Sequence, residues 1–346
     1  MRRPVLTTFL FLSAALIAFA VFTDRRADLR EAAIESRFPP TGEIVNVDGT
    51  DVHVLIRGEG PDLVLIHGAG GNARDLSFAL VDDLANRYRV FSVDRPGLGY
   101  SDAIAPDTPM AQARVLAQAT RRLGADNPIV LGHSYGGAVA MGWALEEPSA
   151  GLVIVAGATM PWPGPLQPYY RIFGSKLGGW IGAPLVSAYV SDEQIATTVA
   201  SVFDPAPIPE NYITGAAIPL ATRIESFRRS AAQVKRLRPN VVEMSAHYGG
   251  LTLPVEVLHG TDDTTRQLCR AAKSAKVHVA IGVHERNAEA SGSSVYNTLL
   301  FIDDKGKIIG KHRKLMPTAA ERLVWAQGDG STLNVYDTPF GKLGGL

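Results

Sequence analysis

The sequence predicts an α/β fold built on a mostly parallel sheet. Three observations predict it. Short all-apolar runs, Leu63–Ile66, Val90–Val93, Ile129–Leu131 and Leu152–Val155, are each closely followed by Gly or Asp. Helix-like stretches over residues 75–88, 109–123 and 136–147 lie between them. Val255–Leu258 repeats the strand pattern after a long stretch of different composition. Strands covered on both faces read as continuous apolar runs, and helices between them imply parallel crossovers.

Each element follows from local chemistry. At the N-terminus, Arg2 and Arg3 precede an uncharged stretch, Val5–Thr23. Its length suits a helix crossing a bilayer. It contains Ala18-Phe19-Ala20, a pattern a signal peptidase could cut. Two readings fit: residues 1–23 are an uncleaved membrane anchor, or they are a signal peptide. Either one exports the body from the cytoplasm of a bacterial-type cell, leaving it anchored in the inner membrane, periplasmic or extracellular. Residues 24–40 are charged and end in Arg37-Phe38-Pro39-Pro40, which predicts a linker. Glu43–Asp48 and Val52–Arg57 alternate apolar and polar residues around Asp48-Gly49, which predicts a hairpin. From 161 to about 239 the chain is rich in Pro, Gly and aromatics, including Trp162, Tyr169 and Trp180, and then becomes helical. This predicts a lid inserted over the sheet.

The 346 residues carry 34 Lys and Arg against 34 Asp and Glu. That balance argues against a nucleic-acid binder, which needs a basic face to release counterions. Cys269 is the single cysteine, so no intrachain disulfide or cysteine-pair metal site can form. Nothing in the sequence calls for a cofactor or a metal.

The sharpest motif is Gly132-His133-Ser134-Tyr135-Gly136, directly after one strand and directly before a helix. In that context the glycines permit a tight elbow that lifts the Ser134 hydroxyl above the sheet at a helix N-terminus. A second glycine-rich segment, His67-Gly68-Ala69-Gly70-Gly71, follows an earlier strand. The Ala69 and Tyr135 amides then form a candidate oxyanion hole. Both loops fall at carboxyl ends of parallel strands, where open α/β sheets place their sites.

With these motifs, residues 41–263 resemble the α/β-hydrolase family. The matching segments are His67–Gly71, Val93–Asp102 (VDRPGLGYSD), the elbow around Ser134, the lid and Leu253–Asp263 (LPVEVLHGTDD). The resemblance implies a serine nucleophile at Ser134 and an orienting acid just after the last of these strands. Asp263 matches that position best, with Asp262 as the neighbour that could replace it. Asp94 falls in a turn that the resemblance makes structural. The family's final segment with its histidine is not recognisable.

From about 264 to 346 the chain resembles a nitrilase of the carbon–nitrogen hydrolase family, read as incomplete. Lys314 and Glu321 match that family's lysine and second glutamate. Its cysteine nucleophile would fall beyond Leu346, and Cys269 matches no nucleophile position. Without those groups Lys314 and Glu321 are remnants, and nitrile hydrolysis is not expected. The nitrilase-like strands are expected to lack partners and to leave open edges.

This segment can still complete the first site. A helix over 265–275 and a strand over 277–282 supply the needed order, with His284 just after that strand. Ser134, Asp263 and His284 then form a rebuilt triad. In the alternative, His284 is an ordinary polar residue at a strand end. The sequence thus points to a serine hydrolase acting on a partly apolar small-molecule ester or related acyl substrate. The alternative is a catalytically dead chimera.

Overall fold

The structure, a computed structural model, describes residues 2–203, 207–260, 262–286, 295–314, 330–338 and 341–344. The chain divides into two compact units, Met1–Ala150 with Ala158–Thr252, and Gly151–Gly157 with Leu253–Leu346.

In the first unit β1 (Glu43–Val47) and β2 (Thr50–Arg57) form the expected hairpin. Asp48 and Gly49 make its turn, both at positive φ. β2 pairs antiparallel with β4 (Arg89–Val93), and β3 (Asp62–Ile66) lies parallel between β4 and β5 (Ile129–His133). The register sets Ile66 level with both Val93 and Gly132. The loops carrying His67, Asp94 and Ser134 therefore leave these strands at the same, carboxyl end. The strand interiors are shut off from water: Val64, Leu65, Ile66, Val90, Phe91 and Val93 are fully buried. Each such side chain contributes about 1.5–3 kcal/mol relative to exposure.

The helices start where their caps dictate. For α2 (Ala73–Leu84), Asn72 accepts the Arg74 amide at 2.9 Å. For α3 (Pro109–Arg122), Thr108 accepts the Ala111 amide and Pro109 takes the first position, where its missing N–H costs nothing. α4 (Tyr135–Glu146) is apolar nearly all round and is buried from Tyr135 to Trp143, as a central helix must be. The lid comprises α5 (Pro168–Phe173), α6 (Lys176–Tyr189), α7 (Asp192–Phe203), α8 (Tyr212–Gly215) and α9 (Ile224–Ser245).

Residues 24–37 are not a linker. One helix, α1, runs from Arg2 to Arg37 without a break. Charge made this stretch look solvated, yet its burial repeats with helical spacing. Thr23, Ala27, Ile34 and Phe38 are buried on one face, while the charged residues lie mostly on the others. Ile34 and Phe38 pack with Ala217 and Leu220 of the lid. Pro39-Pro40 then stops the helix.

In the second unit β6 (Gly151–Val155) is parallel to β7 (Val255–Gly260), and β7 meets β8 (Val279–Arg286) in parallel at its end. β8, β9 (Val295–Ile302) and β10 (Ile308–Arg313) follow as antiparallel neighbours. α10 (Asp262–Ala275) precedes β8, and β11 (Val335–Thr338) with β12 (Gly341–Gly344) forms a separate hairpin. The expected lack of strand partners does not hold for β9, which pairs with β8 over eight residues and with β10 on its other side. Ala272, Ile281, Val283, Leu300 and Ile302 close a core of their own. Cys269 is half-buried against that core.

Candidate active site

Ser134 sits between β5 and α4 with φ 54° and ψ −115°. A residue with a Cβ rarely adopts positive φ, and such strain persists only where the surroundings enforce it. Here two glycines enforce it. A Cβ on Gly132 would lie 2.2 Å from the Gly136 carbonyl oxygen, and one on Gly136 would lie 2.2 Å from that of Ile66. The elbow can close only because both lack side chains. The Ser134 carbonyl accepts the Gly137 and Ala158 amides, at 3.1 and 3.0 Å. Its hydroxyl makes no capping bond to α4 and remains half-exposed.

The His67–Gly71 loop lies against this elbow. A Cβ on Gly68 would stand 3.2 Å from the Ser134 Cβ. Among the described hydrogen bonds, neither the Ala69 nor the Tyr135 amide has an acceptor. Tyr135 opens α4, where first-turn N–H groups have no partner within the helix and the dipole favours negative charge. A serine hydroxyl with backbone amides aimed at the same reacting carbonyl can attack it and have the resulting oxyanion received.

The loop is held from behind by a buried polar network. The His67 Nε2 accepts the Arg95 amide at 3.0 Å, so its Nδ1 carries the proton and donates to the Gly68 carbonyl at 2.9 Å. Burial, aided by the Arg95 charge, pushes the His67 pKa down to about 3, so the ring is neutral. Arg95 is fully buried, and among the described residues no carboxylate lies at hydrogen-bonding distance from it. Its guanidinium donates to Gln112 and Gln233, each at 2.9 Å, and to the Gly68 carbonyl at 3.2 Å. It also lies 4.1 Å over the Tyr135 ring. Burial lowers its pKa to about 10, which leaves it charged at neutral pH.

Asp94 is the structural residue that its turn implied. It accepts the Ala73 amide at 2.5 Å, the Tyr100 amide at 2.7 Å and the His53 Nδ1 at 2.8 Å. Burial pushes its carboxyl up, but the hydrogen bonds from His53 and from the Tyr100 amide hold it below the ordinary range. Sequence reasoning missed Arg95, Gln112 and Gln233. A polar network whose members lie 17 and 138 residues apart leaves no local pattern. It also missed the lid contact in which the Tyr212 hydroxyl donates to Asp75 at 2.5 Å.

The remaining expected residues fall in the second unit. Asp263 is in the first turn of α10. His284 is not in a loop after the strand: β8 continues through it to Arg286 because β9 pairs with it, His284 opposite Asn297. Along β7 its register partner is Gly260. The side chains of Asp263 and His284 lie outside the described ones. Lys314 follows β10 and is half-buried, and Glu321 lies outside the described residues.

Residues 63–295 match the model of the alpha/beta hydrolase family, which is more than half of the chain. The chain belongs to the alpha/beta hydrolase family. Solved structures agree on the fold of this alpha/beta hydrolase. An epoxide hydrolase, CorEH, is 21% identical with a TM-score of 0.54, over 64% of this chain and 82% of its own. An alpha/beta hydrolase fold protein from Burkholderia ambifaria is 21% identical with a TM-score of 0.52, over 66% and 85%. A different likeness covers a smaller stretch. A nitrilase 2 from an unknown prokaryotic organism is 55% identical over 82 residues, 24% of this chain and 26% of its own. A bifunctional nitrilase/nitrile hydratase from Nicotiana tabacum is 51% identical over 78 residues, 22% and 21%. The hydrolase chain thus spans about a quarter of the length of these curated relatives.

Proposed function

We propose that this hydrolase opens an ester or related acyl bond through an acyl-enzyme on Ser134. The observation that carries the reading is the enforced elbow: Ser134 is held at φ 54° with the Gly68 loop against it, and the Ala69 and Tyr135 amides have no acceptor among the described hydrogen bonds. Ser134 Oγ attacks the carbonyl carbon and passes its proton to a base. The Ala69 and Tyr135 amides receive the oxyanion. The alcohol leaves with the proton, and water then releases the acid by the reverse path.

In this reading the base is a histidine with a free ring nitrogen. His53 is tied to Asp94 and to the Gly42 amide, and His67 to Gly68 and Arg95. His284, oriented by Asp263, is the assignment we make. Its position inside β8 favours the second reading, a fold whose base is lost. Turnover of a p-nitrophenyl acyl ester series tests the two. Activity that Ser134→Ala and His284→Ala both remove supports the triad. Activity removed only by Ser134→Ala assigns the base elsewhere, and no activity on any ester supports the second reading.

We further infer that α1 is a membrane anchor. Thr7–Arg37 is apolar enough over one window to cross a bilayer. Its side chains from Thr7 to Phe22 are almost all exposed, including Phe9, Phe11, Leu16 and Ile17. Water would not tolerate such a bare apolar helix, whereas lipid satisfies it. Arg2 and Arg3 at its start favour a cytoplasmic N-terminus and an exported body.

A further inference from the structure

We infer that the outer face of the lid is a bilayer-contact surface, seated in the lipid interface beside the anchor; this rests on the reading of α1 as a span. The lid helix α6 has reversed polarity. It buries its small residues Gly179, Gly182, Ala183, Ser187 and Ala188. It exposes Leu177, Trp180 and Ile181, with Leu177 and Trp180 67% and 69% exposed. These three follow i, i+3, i+4 spacing and so form one stripe. Tyr169 and Ile172 of α5 are exposed as well. A water-facing helix turns its large apolar residues inward, and an apolar cluster left outside marks a contact surface.

The occupant follows from where α6 is attached. Its C-terminal end is fastened to α1 where the apolar run gives way to charge. The Tyr189 ring stacks on Phe19 at 6.4 Å, and its hydroxyl is 3.1 Å from the Thr23 hydroxyl. Arg26 and Arg30 donate to the Ala188 and Ser187 carbonyls at 2.8 and 3.0 Å, and the Ser187 hydroxyl donates to Glu31 at 2.9 Å. A span ending near Thr23 therefore sets this end of α6 at the level of the lipid headgroups. Trp and Tyr favour that level, and a lysine there can reach the phosphates. Lys176 precedes the stripe. The stripe and Lys176 lie on the same short helix, about two to three turns before that fastened end, and a phospholipid bilayer is the occupant that matches an aromatic, aliphatic and cationic surface held beside a span.

The test uses the full chain in phosphatidylcholine vesicles, with and without bromine on the acyl chains. The difference in emission between the wild type and Trp180→Phe isolates Trp180 from the other tryptophans. Trp180 is exposed, so the Phe variant should fold. The inference expects that difference emission to be blue-shifted and lost in brominated vesicles. Quenching by aqueous iodide instead would overturn it. Shielding from both quenchers would also overturn it, because a second copy of the chain would then be the cover. Retention of the chain after an alkaline carbonate wash, measured on the same vesicles, checks the span separately. A chain that stays bound with Trp180 unquenched by bromine refutes the lid contact alone, whereas a chain washed off refutes the span and the inference with it.

Discussion

The Arg95 guanidinium lies 4.1 Å over the Tyr135 ring and donates to the Gly68 carbonyl. One buried cation thus touches both loops that carry the candidate oxyanion amides. Arg95 is a positioning residue in this account. Arg95→Lys keeps the charge but loses the planar fork that reaches Gln112, Gln233 and Gly68 together. A misplacement near 1 Å at reacting groups costs about 100-fold. The expected outcome is kcat lower by about 10- to 100-fold with KM little changed, read from steady-state ester kinetics beside a thermal melt. A fall in melting temperature with kcat intact would make the network purely structural.

The elbow glycines should tolerate nothing larger. Gly132→Ala or Gly136→Ala puts a methyl 2.2 Å from a carbonyl oxygen, and such a clash belongs with the rare changes that cost more than about 4 kcal/mol. Both variants should be insoluble or unfolded by circular dichroism. Gly249→Ala, where a Cβ meets nothing within 4 Å, should melt like the wild type.

Ser134 should trade stability for chemistry. Replacing it with glycine relieves a positive φ, a strain of about 1–3 kcal/mol. Ser134→Gly should therefore unfold at higher denaturant than the wild type while losing all esterase activity. A lower midpoint would show that the serine side chain supports the turn.

Acid should weaken the first unit through His67 and Asp94. His67 stays neutral when folded, down to about 3, but takes a proton near 6.5 when unfolded. Below 6.5 the unfolded chain binds more protons, so stability falls as pH drops toward 3, at about 1.4 kcal/mol per pH unit. Asp94 adds to this at the acid end. Its folded carboxyl titrates below the ordinary 3.8, so its contribution is present above that value and is lost as pH falls through the folded one. Urea midpoints at pH 7, 5.5 and 4 should decline in order, and less steeply for His67→Gln. A flat profile would show that His67 is charged or exposed.

What the sequence made legible was what depends on neighbours in the chain. Apolar runs ending in Gly or Asp located the strands, and two glycines around Ser134 located the elbow. Charge misled the reading of residues 24–37, where burial comes from the lid and so leaves only a faint spacing of Thr23, Ala27, Ile34 and Phe38. β8 was drawn too short because the pairing of His284 with Asn297 depends on a later strand. Nothing local marked Arg95, since Gln233 is remote in sequence and adjacent only after folding.

The most direct measurement is peptide mass spectrometry of the full chain after reaction with a fluorophosphonate, which phosphonylates a serine only when it is activated. The account predicts one adduct, on the peptide containing Ser134, absent in Ser134→Ala and suppressed in His284→Ala. An unlabelled Ser134, or an adduct on another serine, would contradict it.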